Sequence, residues 1–458
     1  MTRRTFLGGL VAGAAVRAFG AEAKPDLTFG VMSDIHIWSP NPGGRSPGRD
    51  LRRLRAALAH FRDAGVDAVV IAGDLADTGL VAQLEEVGRV WDETFPGGRL
   101  PDGRLVEKVF ITGNHDVGRW PHVKQSGDLL ADGLADVWER IFHEKYEPVY
   151  TKTVKGVPFV CAHWGEEKKA AAAIREAAVC GRPFFYVQHD HPKGTVYWNE
   201  RDVGDDGTVT GILSHHPNAV ALSGHSHRTL LDERGVWQDT FTSIGTGCLQ
   251  NALRYGRENF WSSPPVFVKQ MDESDGMLGG NYMVARLYGT SLALERWSSE
   301  WHEKLGPDWT VDLPAKAGGP YDPSVRAGLF RAPEFPKGAE LSVTAVDGQD
   351  ETGKPQRQVT VTFPAAGGAE CRVADYDIRI EDLRWGFERT LSHKRVNAED
   401  YDKPPSRLVR QGSCNFAVGF EVPAARGLLR VTVRPCDSLG NAGRALVREG
   451  TFYFGRRS

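Results

Sequence analysis

Five short segments rich in aspartate, asparagine, histidine and glycine constrain this chain more than anything else in it. They are Asp34-Ile35-His36, Gly73-Asp74-Leu75, Gly113-Asn114-His115-Asp116, Gln188-His189-Asp190-His191 and Gly224-His225-Ser226-His227. Four of the five follow directly on a run that reads as a strand. The first such run, residues 27–32, is short and apolar, and residues 69–71 form the next. Between them Leu51, Leu54, Leu58 and Phe61 recur at helical spacing, with Asp50 as the expected N-cap and Gly65 at the C-terminal end. That is a β-α-β unit, which favours parallel strands and a right-handed crossover. In an open α/β sheet ligand sites form outside the carboxyl ends of the strands. Segments distant in sequence are therefore expected to converge on one edge.

The residue types decide the chemistry of that edge. Carboxylate, carboxamide and imidazole donors suit hard and borderline divalent ions such as Mn, Fe or Zn. In Asp34-x-His36 and His225-x-His227 the two side chains are two apart on extended backbone and point the same way. A carboxylate can bridge two ions, and ions about 3.5–4 Å apart can clamp a phosphoryl group.

The ordered set D-x-H, G-D, G-N-H-D, H and G-H-x-H resembles the calcineurin-like metallophosphoesterase superfamily over roughly residues 26–298. The resemblance implies an α/β fold, a four-layer αββα sandwich of two mixed sheets flanked by helices. It implies two divalent metal ions, the first held by Asp34, His36 and His227, the second by Asn114, His189 and His225, with Asp74 bridging both. A metal-bridging hydroxide would attack phosphorus in such a centre. His115 resembles the histidine that contacts the phosphate, and Asp116 is placed to orient it by accepting its second ring proton. His189 rather than His191 is taken as the ligand because it follows the strand more directly.

Three further residues are candidates for substrate contact: His163 at the end of the strand at 159–161, Trp38 just beyond the first segment, and Arg254 in the long connection 251–280. Each has an ordinary structural alternative: a satisfied histidine, a core tryptophan and a solvated arginine.

The remaining features bound the molecule. Thr2-Arg3-Arg4-Thr5-Phe6-Leu7, the apolar run to about Phe19 and the small residues Ala21 and Ala23 read as a signal peptide of twin-arginine type. Export across the cytoplasmic membrane, to the periplasm or beyond, is the corresponding expectation. A net charge of −3 points to no nucleic-acid polymer as partner, and no later run reaches the length of a membrane span. The six cysteines contain no C-x-x-C pair and are expected to be mostly buried thiols. Beyond Gly318-Gly319-Pro320 and the prolines at 333 and 336 the periodicity changes to two, at residues 341–345, 359–363, 376–380, 416–420 and 429–433. The stretch 429–440 resembles the penultimate strand and hairpin of fibronectin type III or immunoglobulin-like domains. The expected organisation is a signal peptide at 1–23, a metallophosphoesterase domain at 26–312, a linker at 313–336 and a small all-β sandwich at 337–458.

Function follows from the site. The expected activity is hydrolysis of phosphate esters, with diesters favoured because the second and third segments look most like the cyclic-nucleotide and glycerophosphodiester branch. Leu75, Ala76 and Asp77 leave no tyrosine near the second segment, unlike purple acid phosphatases. A monoesterase or nucleotidase on the same site is the first alternative. A non-catalytic surface binding protein that uses the fold as scaffold is the second.

Overall fold

The computed structural model describes residues 24–38, 48–118, 128–197, 205–250, 280–349, 355–367, 372–384, 389–398, 401, 404–407, 413–419 and 426–453. The expected signal peptide and Arg254 lie outside the described residues.

Two mixed sheets form the larger part. One is built from β1 (Leu27–Met32), β2 (Ala68–Ala72), β3 (Glu107–Ile111), β10 (Asn281–Tyr288), β11 (Ser291–Ser298) and β12 (Trp309–Asp312), in the order β12-β11-β10-β1-β2-β3. The other contains β4 (Val149–Val154), β5 (Val157–Ala162), β6 (Phe184–Val187), β7 (Ala219–Ser223), β8 (Val236–Gln238) and β9 (Thr242–Gly245), in the order β4-β5-β6-β7-β9-β8. β1, β2 and β3 run parallel, as do β5, β6, β7 and β9. The remaining pairs are antiparallel, including β1 with β10, which joins residues far apart in sequence.

The central strands β1, β2, β6 and β7 are buried on both faces, and side-chain alternation divides each one between two cores. Leu27, Phe29 and Val31 of β1 and Ala68, Val70 and Ala72 of β2 face the second sheet, where they meet Phe159, Phe185, Val187 and Val220. Phe29 sits with its ring 5.3 Å from Phe159 and 4.8 Å from Phe185. Met32, Val69 and Ile71 face outward and are covered by helices α1 (Arg49–Asp63), α2 (Val81–Thr94) and α4 (Leu134–Phe142). A short helix, α3 (Asn114–Val117), precedes α4. α5 (Ala171–Ala178) and α6 (Thr208–Leu213) cover the outer face of the second sheet through Ile174, Ala177, Val209 and Leu213. The result is the expected four-layer αββα sandwich. One local expectation fails: α1 is capped by Gly48, and Asp50 sits inside its first turn, where its carboxylate accepts from the Trp38 amide at 2.7 Å.

The C-terminal region is all β. β13 (Ser342–Gln349), β14 (Pro355–Pro364) and β17 (Ser413–Gly419) form one sheet; β15 (Val373–Asp382), β16 (Arg389–Asn397), β18 (Arg426–Asp437) and β19 (Leu446–Tyr453) form the other, in the order β16-β15-β18-β19. Val359, Val361 and Phe363 of the first pack on Tyr376, Ile378, Ile380, Leu429, Val431 and Val433 of the second.

The intervening residues are packed. Tyr321 and Arg326, the latter at the end of α7 (Pro323–Arg326), are buried. Arg326 Nη2 donates to Glu233 Oε2 at 2.6 Å, and Glu233 also accepts from Arg296 at 2.9 Å and from the Trp309 indole at 2.9 Å. The backbone amide of Glu233 donates to Ser438 in the β18–β19 turn, and Asn441 donates to the Ala327 carbonyl. The two sandwiches thus share a polar seam. No helix of the described residues is long and apolar enough to cross a membrane. Cys161, Cys248 and Cys436 are buried free thiols, and Cys180 is an exposed one.

Candidate metal centre

β1, β2, β3, β6 and β7 end on the same edge, and the five segments leave from there. Backbone hydrogen bonds stitch them into one unit. The amides of Asp34 and His36 donate to the carbonyls of Gly73 and Asp74, and that of Gly224 to the carbonyl of His189. The His225 amide donates to both carboxylate oxygens of Asp34 at 3.1 Å, and the His115 amide to Asp74 Oδ1 at 2.8 Å.

This stitching depends on close approach. A Cβ at Gly113 would lie 2.2 Å from Asp74 Oδ1, and one at Gly73 would lie 2.3 Å from His189 Nδ1. Gly73 also has φ +93°, a conformation L side chains rarely adopt. Asp34, His36, Asp74, His225 and His227 themselves adopt positive φ, between 44° and 65°. Aspartate and histidine tolerate this region better than most residues.

The side chains gather in two groups that share Asp74. Asp34, His36, Asp74 and His227 offer ligand atoms within 4.8 Å of one another, and so do Asp74, His189 and His225. In the first, His36 Nε2 faces His227 Nε2 at 3.0 Å, and His227 Nε2 lies 3.1 Å from Asp34 Oδ1. In the second, His189 Nε2 lies 3.1 Å from Asp74 Oδ2, and Asn114 Oδ1 lies 3.0 Å from His225 Nδ1. His191 points elsewhere, with Nε2 2.9 Å from the Ser226 hydroxyl.

Oxygen atoms face the outer nitrogens of these rings. His189 Nδ1 donates to the Ala72 carbonyl at 2.7 Å, which commits Nε2 to the centre. His36 Nδ1 lies 3.2 Å from Asp77 Oδ1, and His225 Nε2 lies 3.6 Å from Asp190 Oδ1. Asp34, Asp74 and His189 are at most 1% exposed. Burial opposes their charges, but His227 and His189 hold the Asp34 carboxyl well below the usual range, and His189 and His36 do the same for Asp74. Against its own burial, the Asp74 carboxylate pushes His189 up to about 10. Two buried carboxylates and converging imidazole nitrogens therefore fit divalent cations.

His115 stands beside the first group, its ring 4.5 Å from that of His36. Its Nδ1 donates to the Asp77 carbonyl at 2.6 Å, and burial lowers its pKa. Asp116 does not serve as its orienting partner, because its carboxylate is spent on the chain. Oδ1 accepts from the Ala76 amide and Oδ2 from the Gly113 amide, both at 2.7 Å. Burial and the nearby Asp74 push Asp116 up to about 7. Asp77, three residues after Asp74, takes the orienting role. Its position on the same turn was the available signal.

His163 is also corrected. It is 1% exposed, its Nδ1 accepts from the Thr112 amide at 3.0 Å, and its ring packs against Trp138 and Tyr146. Burial alone drops it to about 3, so it is a neutral structural histidine, not a substrate contact. The residue after it, Trp164, reaches the centre instead. Its ring lies 5.7 Å from His189 and 5.8 Å from His225. Trp38 is half-buried just past the first segment.

Residues 27–229 match the calcineurin-like phosphoesterase family. No curated protein matches the chain. Similar solved structures include a dimetal phosphatase from Danio rerio, at 14% identity and TM-score 0.39, covering 63% of this chain and 99% of that one. A purple acid phosphatase from yellow lupin (Lupinus luteus) seeds shows 14% identity and TM-score 0.38, covering 63% and 55%. An archaeal phosphodiesterase shows 12% identity and TM-score 0.25, covering 62% and 100%.

Proposed function

We propose that this chain is a calcineurin-like phosphoesterase, the family its residues 27–229 match, and that it hydrolyses phosphate esters, diesters in preference to monoesters, with Asp34, His36, Asp74, Asn114, His189, His225 and His227 holding two divalent ions. The observation that carries this reading is the place of Asp74 in both ligand groups. Two ions sharing it would lower the pKa of a water between them and clamp a phosphoryl group.

The chain's own residues supply the rest. Asp77 and the Ala72 carbonyl fix which nitrogens His36 and His189 present to the centre. With Nδ1 of His115 committed to the Asp77 carbonyl, Nε2 is the nitrogen that meets a phosphate oxygen or protonates the departing one. A lowered pKa keeps that ring neutral at pH 7, so it takes its proton to the reaction as a neutral donor.

The diester preference rests on the likeness of the Gly73 and Gly113 segments to diesterase branches, and export rests on the Arg3-Arg4 segment with its apolar run. The three-plus-four antiparallel strand arrangement supports a fibronectin III or immunoglobulin-like reading of residues 337–458.

The test is turnover of bis(4-nitrophenyl) phosphate and of 4-nitrophenyl phosphate by Mn-reconstituted protein, with Asp74→Asn alongside. Diester turnover that Asp74→Asn abolishes is the expected result. Faster monoester turnover would replace the diester preference with a phosphatase. Bound metal without turnover of either ester would favour the binding-protein reading.

A further inference from the structure

Trp164 has no part in the ligand set, yet it is built into the centre. Its backbone amide donates to the Thr112 carbonyl at 3.2 Å, which ties it to the strand end that delivers Asn114. Its ring meets His189 edge to face and lies over His225 at a tilt of 36°. Both histidines belong to the group around the second candidate ion. The ring is only half-buried, whereas its neighbour His163 is wholly enclosed. A large aromatic side chain fixed by the backbone and left partly open next to these histidines offers a flat apolar surface beside the centre.

We infer that Trp164 forms a subsite that selects phosphate esters carrying a flat aromatic ring, such as a nucleobase, by stacking that ring on the second-ion side of the centre. The inference rests on the phosphoesterase reading and narrows its substrate class. Stacking of a base on an aromatic side chain changes affinity roughly ten- to hundred-fold and tolerates many ring types. Selectivity would therefore be for flatness and not for one base.

The experiment is calorimetric binding of adenosine monophosphate and of methyl phosphate to the Mn-loaded full-length protein, with Trp164→Ala and Trp164→Phe. Wild type is expected to prefer adenosine monophosphate. Trp164→Ala should weaken that ligand roughly ten- to hundred-fold, leave methyl phosphate unchanged and keep the metal content intact, while Trp164→Phe should retain most of the preference. For bis(4-nitrophenyl) phosphate, the alanine variant should raise KM and leave kcat unchanged. Equal losses for both ligands, or loss of metal on substitution, would make Trp164 a prop for the two histidine rings and overturn the subsite. Ring-selective binding without turnover of any ester would sink the hydrolase reading and keep the subsite. Turnover without ring preference would do the reverse.

Discussion

The Asp77 carboxylate lies 3.2 Å from Nδ1 of His36, on the side of the ring away from the candidate ion. The same residue holds His115 through its carbonyl. Removing the side chain alone separates the two roles. Asp77→Ala should lower metal affinity roughly 10–100-fold, the usual cost of losing a partner behind a ligand, while His115 keeps its backbone acceptor. Asp77→Asn should lose less. Competition titration with Mn reads both, and unchanged affinity in the alanine variant would show that His36 needs no such support.

His163 gives the protein an acid-sensitive point away from the ions. Its folded pKa of about 3 is below the ordinary 6.5, so the unfolded chain binds the extra proton between those values. Its contribution is complete above pH 6.5 and is lost as pH falls toward 3. Against a His163→Gln variant, wild type should lose about 2 kcal/mol of relative stability between pH 7 and pH 5. Urea titrations at the two pH values measure it, and parallel changes in both proteins would contradict the assignment.

Gly113 has ordinary backbone angles, with φ −108°, so only space forbids a side chain there. Gly113→Ala places a methyl against the Asp74 carboxylate and amide. About 1–3 kcal/mol of destabilisation is expected, together with loss of metal-dependent turnover, because Asp74 must move. Wild-type metal stoichiometry in this variant, measured by elemental analysis, would count against the close approach.

Glu233 compensates two buried arginines at once, Arg296 and Arg326. Glu233→Ala leaves both uncompensated, a change of about 3–5 kcal/mol. It should also loosen residues 313–336 from the larger domain. Thermal denaturation and limited proteolysis of that stretch read the two effects, and a protected stretch with an unchanged midpoint would rule out a central role for this seam.

The ligand segments were legible because they combine unusual residue types with strand ends, and both properties are local. The pairing of β1 with β10 was not, since nothing in residues 27–32 encodes a partner at 283–287. The partners behind the histidines were harder still. Asp116 is adjacent to His115 in sequence, yet the turn sends its carboxylate to the Ala76 and Gly113 amides. His163 and Trp164 show the same limit. Successive residues at a strand end point opposite ways, and the pattern alone did not tell which of the two would face the centre.

Five of the residues that define the centre hold left-handed backbone angles, each costing an L residue roughly 1–2 kcal/mol. The surrounding sheets impose those angles, and the glycine contacts and amide bonds between loops lock them. The site is therefore a socket finished during folding. An ion entering it would meet backbone already set, with only side chains left to adjust.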